Sequence, residues 1–442
     1  MPIRIQPPLR CGRDRADNSL FLNYSVSKNG FLPDQEPLRR LKEEYYAPWE
    51  VILDHLPTLI KGKAIRKAVS DLEVLSTDRL STKEDWCRAY VILTFLTHGY
   101  IWGDEKPAEV LPPAISVPLL RVSKRLELPP VATYAALNLW NFRSSGVDFF
   151  DLDSLEALHT FSGTEDESWF FCLSAAMEAQ GAYVIPVMLR AIEAIEHQDY
   201  ATMIDGLDAL TLCIGRLGRT LDRMQEKCDP MVFYHQIRPY LAGTKNMGAA
   251  GLPSGVFYDE GNGAGSWRQL RGGSNGQSSL IQFFDVVLGV EHTSTGMRGG
   301  PSRELNEGKN RREMGFHQEV RFYMPGPHRR FLETVSRMGS LRDFAMLRPS
   351  PSCDHQQLQR SFESAAKALG DFRNKHMQMV TRYIVIPSRK QAITGRVNLA
   401  TASSGLGQRQ ESELTGTGGT PLIPFLRQTR DETYAAAGRK SI

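Results

Sequence analysis

In the stretch SFESAAKALGDFRNKHMQMVTRYIVIP, Leu369, Phe372, His376, Val380 and Tyr383 recur at spacings of three and four, which places them on one face of a helix. An imidazole in such an apolar stripe is neutral, and a neutral imidazole can coordinate haem iron. Arg373 stands three residues earlier on the same side, within reach of an acidic group on such a cofactor. A core histidine satisfied by a carbonyl fits the same spacing, and the helix alone does not choose. Gly272 to Gly276 reads GGSNG, a match to the G-x-S-x-G turn that presents a serine nucleophile in a hydrolase. That turn needs a buried strand before it, whereas SWRQLR is polar and basic and the surrounding chain lacks β/α alternation. A glycine loop that lets backbone approach another surface closely is the better reading. TGTGGT, from Thr415 to Thr420, is neither a Walker loop nor a dinucleotide fingerprint and reads as a flexible linker. Arg238 follows Phe233 and Ile237 on a largely apolar helix, so its guanidinium needs an anionic partner, internal or bound. Phe170, Phe171 and Ser174 read by themselves as core aromatics and a small packing residue.

Helices must position these groups. Helical spacing runs from Leu38 to about Leu75, and Ser81 to Glu84 predicts a capping box ahead of DWCRAYVILTFLTHGYIWG. Pro129-Pro130 opens VATYAALNLWNF, helical in composition, with Tyr134 near its start. Residues 165–196 are apolar on nearly all sides, which predicts one buried helix or two joined at Gly181 and Pro186. Asp229-Pro230 predicts a capped helix start, and Pro239 must bend or end that helix. Gly261 to Gly276 holds too many glycines for regular structure, after which SSLIQFFDVVLGV resumes a helical pattern. With no fixed repeat and little strand alternation, the fold class is all-α. The expected division is a tail at 1–18, a small helical domain at 19–160 and a large helical domain at 161–430. Mobile loops are expected near 292–315 and 388–419, and a second tail at 431–442.

Composition narrows the function classes. Lys and Arg total 53 against 50 Asp and Glu, a formal charge of +3, so no excess of basic charge suggests nucleic acid or an anionic membrane. Six scattered cysteines with no C-x-x-C pair argue against zinc ribbons and disulfide scaffolds and suit the reducing cytosol. The first residues carry no apolar leader, and no stretch reads as long and apolar enough to span a bilayer. The expectation is a cytoplasmic monomer without nucleic-acid or membrane partners.

Several segments in one order carry a resemblance: YIWG from Tyr100, LELPPVATY from Leu126, WFFCLS from Trp169, FYHQIRPYLAG from Phe233, GGSNGQSS from Gly272, FYMPGPHRRFL from Phe322, KHMQMVTRYIVIP from Lys375 and GTGGT from Gly416. From about Phe95 to Phe425 the chain resembles the indoleamine 2,3-dioxygenase family. The resemblance implies a smaller helical domain capping a larger one that holds haem b, ferrous in the active state. It also implies cleavage of the indole C2=C3 bond of L-tryptophan by dioxygen to give N-formylkynurenine, the first step of the kynurenine pathway, open to NAD synthesis or tryptophan removal.

By resemblance, His376 is the proximal iron ligand, Arg373 pairs with a haem propionate, and Gly273 and Ser274 lie along the haem edge. Phe170 and Phe233 pack on the indole, Phe171 counts with them among the substrate-binding residues, and Tyr134 lines the inner end. Ser174 is a small hydroxyl on the dioxygen side, more a hydrogen-bonding or packing group than a base. Arg238 grips the substrate carboxylate with Leu241 beside it, and Thr417 closes over the ammonium group. The chain departs from the family pattern at Asn275, where many members carry alanine, and at Leu137, where many carry cysteine. A haem-binding paralogue that senses or binds a ligand with little catalysis would keep His376 and Arg373, but it would not need the Arg238, Phe233 and GTGGT clamp.

Overall fold

The computed structural model describes residues 21, 23–293, 316–346, 352–390, 414, 416–417 and 422–438. Most of the expected loops at 292–315 and 388–419, and the tail at 1–18, lie outside the described residues.

The helix Lys83–Trp102 is buried along nearly its whole length, which is why its sequence is apolar on every side. Its capping box forms one residue later than the sequence suggests. Thr82 accepts the Asp85 amide, and the Asp85 carboxylate gathers the amides of Ser81 and Thr82 and the Ser81 hydroxyl. Around this helix pack Ala47–Asp54, Leu56–Lys61, Ile65–Ser70 and Pro113–Leu126. The helical spacing from Leu38 to Leu75 thus resolves into short pieces, broken where Pro57 and the left-handed Lys63 stop each turn.

A second group is built from longer helices. Residues 165–196 form two, Glu165–Gly181 and Val184–His197, with Pro186 in the first turn of the second, where a missing amide hydrogen costs nothing. This is also the stretch among the described residues with the length and apolarity to cross a membrane, contrary to expectation; it breaks after Gly181, and 67% of its most apolar window is buried. Tyr200–Asp222 folds back on Val184–His197 and packs along Cys353–Val380, which in turn carries Leu422–Ala436. That last helix runs past the expected boundary at 430 to Ala436.

Strands are few, as expected. Val256–Gly261 and Ala264–Arg268 form a hairpin, with Val110–Leu111 parallel to its first strand, and Phe142–Ser144 pairs with Leu155–Ala157. The expectation that 261–276 lacks regular structure is corrected over its first part. Gly261, Asn262 and Gly263 all have positive φ and make the hairpin turn, so glycine is there to reverse a strand.

Apolar side chains gather in two clusters, one around Lys83–Trp102 and one around Val184–Leu217 with Phe283, Phe331 and Phe362. Phe372 packs against both, so the segment leading to His376 runs along their seam. The first cluster also encloses an ion pair. Glu50 accepts from Arg88 and from the Leu41 amide (2.8 Å), Arg88 reaches His159 (2.7 Å), and the Glu50 and Arg88 side chains are 1% exposed. Removing one partner strands the other charge, so Glu50→Gln is expected to lower unfolding free energy by about 3–5 kcal/mol in urea titrations. A loss below about 1 kcal/mol is the value for a solvated pair and would show that this one is not desolvated.

Candidate active site

His376 sits near the end of Cys353–Val380, five residues before a five-residue π-helical turn, Thr381–Val385. Its ring stays partly accessible, yet protein crowds it enough to push its pKa down to about 4, with the Arg373 cation adding to the effect. Both properties suit a group lining an internal space. Among the described residues no hydrogen bond reaches either ring nitrogen. The imidazole is therefore neutral at physiological pH and has a lone pair to offer.

Arg373 is buried and donates to both Asp285 oxygens (2.6 and 2.7 Å) and to Thr433. His292 bridges Asp285 (3.2 Å) and Glu432 (2.8 Å), and His317 stacks on it with ring centres 3.7 Å apart. Burial lowers the His292 pKa, but the two carboxylates outweigh it and raise the group above its usual value; burial and the neighbouring His292 push His317 down to about 3. Asp285, His292 and His317 lie close enough to suggest a metal site. Two features oppose that: Arg373 already takes both Asp285 oxygens, and stacked imidazoles aim their lone pairs along parallel lines instead of at one point. The cluster is an ion-pair network tying the C-terminal helix to the segment carrying His376.

An aromatic wall follows. Phe170 meets Phe233 (5.0 Å, 65°), and Phe233 meets Tyr383 edge-on (5.8 Å, 87°), joining three elements. Phe171 turns inward behind Phe170 and faces Phe95. Ser174, buried one turn beyond Phe170, stands by the Tyr134 phenol. Tyr134 donates to Glu178 (3.1 Å), and the Ser278 hydroxyl donates to the same oxygen (2.6 Å). The VATYAALNLWNF segment is less helical than its composition suggests: only Ala135–Leu139 coils, as a π turn, and the residues before it are held one by one.

Arg238 and Leu241 lie on the short helix Arg238–Leu241, which follows another π turn, Phe233–Ile237, itself led in by Pro230–Val232 under the Asp229 cap. Pro239 explains the wide turn: it has no amide hydrogen, and its ring displaces the carbonyl four residues back, so the chain loosens by one residue. Pro387 stands in the same relation to Thr381–Val385. Arg238 is 2% exposed, with its guanidinium 5.8 Å from the Tyr234 ring centre. Burial outweighs the Tyr234 attraction and pushes its pKa down to about 10, so an arriving carboxylate would be strongly favoured here.

Beyond Leu241 the backbone crosses the glycine segment. A Cβ on Gly272 would lie 2.0 Å from the Leu241 carbonyl oxygen, which excludes a side chain there, while one on Gly273 would lie 2.4 Å from Leu137 Cδ1 and would require that side chain to move. Leu137 thus presses on the residue expected at the haem edge, while Asn275 is exposed. Ser274 accepts the Gly276 amide (3.3 Å) as the cap of a 3-10 turn, and the strand before it is an exposed hairpin strand. That is no nucleophile elbow. Thr417 donates to the Gly273 carbonyl (2.8 Å), and its own carbonyl accepts the Gly272 amide (3.3 Å), which seats it on the glycine segment.

These contacts join Phe170, Phe171, Phe233, Ser174 and Tyr134 on one side and Leu241, Gly273 and Thr417 on the other, with Gln277 linking the Tyr134 amide to the Gly272 carbonyl. The neutral His376, the Arg373 cation and the side-chain-free surface at Gly273 fit a haem, with no rearrangement of charge demanded at the imidazole. Sequence reasoning missed Glu178. The signal was present, because Phe170, Ser174 and Glu178 recur at spacings of four, putting a carboxyl on the site face of an otherwise apolar helix.

The profile of the indoleamine 2,3-dioxygenase family matches residues 21–436. An indoleamine 2,3-dioxygenase of Aspergillus nanangensis is 42% identical over 425 residues, covering 93% of this chain and 96% of that protein. One of Saccharomyces cerevisiae is 38% identical over 439 residues, 95% of this chain and 94% of the other. A 6-hydroxytryptophan 2,3-dioxygenase of Fusarium equiseti is 37% identical over 414 residues, covering 93% and 96%.

Burial pushes the Glu178 carboxyl up to about 7, against hydrogen bonds from Ser278, Tyr134 and the Leu280 amide. A raised carboxyl stabilises the fold while protonated, so its contribution is complete below about pH 4.5 and is lost as pH rises through 7. Glu178→Gln cannot ionise, and its melting temperature relative to the parent should rise between pH 5.5 and pH 8. An equal difference at both values would mean the carboxyl already ionises below pH 5.5.

Proposed function

The chain belongs to the indoleamine 2,3-dioxygenase family of haem-dependent dioxygenases, and from that membership we propose that it takes haem b on His376 and cleaves the indole C2=C3 bond of L-tryptophan with dioxygen to N-formylkynurenine. The observation that supports this most is His376 itself, a half-buried, neutral imidazole with neither nitrogen hydrogen-bonded among the described residues.

Haem iron, when bound, supplies the dioxygen activation and redox chemistry. The chain's residues supply positioning. His376 needs to shed no proton before ligation, because burial already keeps it neutral. Arg373, held in place by Asp285, presents a fixed cation to an acidic cofactor edge. Phe170 and Phe233 exclude water and fix the plane of the indole, with Phe171 backing them and Tyr134 closing the inner end. Arg238 takes the carboxylate in a desolvated setting beside Leu241, and Thr417 closes over the ammonium group. Ser174 serves as a hydrogen-bonding or packing group. The Fusarium equiseti relative acts, by its name, on a ring-hydroxylated tryptophan.

The test is the absorption spectrum of reduced, haem-reconstituted protein before and after aerobic addition of L-tryptophan or 6-hydroxytryptophan, with N-formylkynurenine followed at its own band. Faster product formation from tryptophan supports the proposal; a Soret band without product from either substrate would sink the catalytic reading. Two variants separate the roles. His376→Ala should fail to retain haem on gel filtration, and retention would remove the axial assignment. Arg238→Ala should weaken tryptophan binding by about 1.5–3 kcal/mol, the worth of a charge-assisted bond. Unchanged saturation would take Arg238 out of the clamp.

A further inference from the structure

His98 is distinguished by where its two nitrogens go. It lies one turn from the C-terminal end of Lys83–Trp102, 1% exposed, and hydrogen-bonds two peptide groups far apart in sequence. Nδ1 meets the Tyr240 carbonyl at 2.6 Å, and Nε2 meets the Ala132 amide at 3.1 Å. A carbonyl can only accept and an amide can only donate, so Nδ1 carries the proton and Nε2 the lone pair. The ring is a neutral bridge of fixed tautomer, and burial, which pushes its pKa down to about 4, keeps it so at physiological pH.

The bridged peptide groups belong to two walls of the same pocket. Ala132 is two residues before Tyr134, while Tyr240 is two after Arg238 and next to Leu241. Other side chains hold one wall each. Tyr258 donates to the Pro130 carbonyl (2.7 Å), Tyr90 to those of Pro129 and Val131 (both 2.8 Å), and Gln277 accepts the Tyr134 amide (2.8 Å). On the other side, Trp102 donates to the Ala242 carbonyl (3.1 Å). His98 bonds to both walls, and Phe161, tilted toward the imidazole (6.2 Å) and stacked on Tyr240 (5.3 Å), braces the arrangement.

We propose that His98 is a positioning residue for the amino-acid substrate: it sets the separation between the Arg238 anchor and the Tyr134 end of the pocket, and so the register in which an aromatic amino acid lies. This rests on the reading that Arg238 holds the substrate carboxylate. An amino acid anchored at one end and stopped at the other tolerates little change in that span, because small displacements of a bound group cost affinity steeply.

Three substitutions separate a positioning role from a purely structural one. His98→Leu removes both bonds while keeping the site apolar. His98→Asn can still donate to Tyr240, and His98→Gln can still accept from Ala132. Each is purified with haem, and haem content, melting temperature, L-tryptophan Kd from the Soret shift, KM and kcat are measured. His98→Leu is expected to raise Kd and KM together, on the order of tenfold for a lost pair of buried hydrogen bonds, with a smaller change in kcat and unchanged haem content. The Asn and Gln variants should each recover part of the affinity. The proposal fails if His98→Leu leaves Kd and KM unchanged while Arg238→Ala weakens binding. It also fails if all three variants lose haem, stability and kcat together, without selective loss of affinity. Normal tryptophan binding by Arg238→Ala would instead overturn the anchor, and with it the span that His98 is said to set.

Discussion

Irregular backbone buried away from water must find a hydrogen-bond partner for every peptide group, and this constraint shapes the interior of the molecule. The segments around Pro129–Tyr134, Phe233–Gly243 and Leu270–Ser278 meet inside the protein, where neither helix nor sheet can satisfy them throughout. Their partners come from side chains on regular elements. On Lys83–Trp102, Tyr90, His98 and Trp102 fall on one ladder of four-residue steps, so a single helix face serves carbonyls and an amide on both sides of the pocket. Tyr258, Gln277 and Thr417 complete the work from other directions. The helix is buried all round because it has apolar cores to fill and irregular backbone to support.

The same low-dielectric interior holds four arginines among the described residues: Arg88, Arg238, Arg373 and Arg271, the last paired with Glu319. Arg88 is matched by Glu50 and serves the fold. Arg373 is matched by Asp285, whose charge is in turn shared with His292 and Glu432, so a cation beside the histidine helix is fixed in place before any ligand arrives. Burial drives the Arg238 pKa down, to about 10. Desolvation of a cation is a cost to folding and an asset to binding, because an arriving carboxylate meets a charge already stripped of water.

Much of the fold was legible in the sequence, for identifiable reasons. The break between Glu165–Gly181 and Val184–His197 follows from Gly181 and Pro186, and the Asp229 cap from side-chain chemistry that acts within three residues. The stripe from Leu369 to Tyr383 was read correctly as the buried face of a helix, because periodicity reports burial. What escaped was set by tertiary contact. Gly261 to Arg268 looked like loop because glycine content is a compositional signal, whereas Ala264–Arg268 pairs with Val256–Gly261, the strand that Val110–Leu111 flanks from far away in sequence. His98 is one histidine in an apolar helix, and nothing in its neighbours tells that it meets Tyr240, 142 positions away.

The π turns show why a correct list of site residues did not amount to a site. At about 100° per residue, Phe233 and Arg238 would stand roughly 140° apart on an ordinary α-helix, too far to face one pocket. The turn Phe233–Ile237 closes with a bond across five residues and brings its two ends toward the same side. Pro239 makes the ordinary turn unfavourable at that point, just as Pro387 does after Thr381–Val385, where Tyr383 meets Phe233. Pro239, expected to bend or end its helix, and Pro387 therefore act as helix wideners. Each keeps the chain coiled while rotating the residues after it, so that an aromatic ring and a cation separated by five positions can address the same bound molecule.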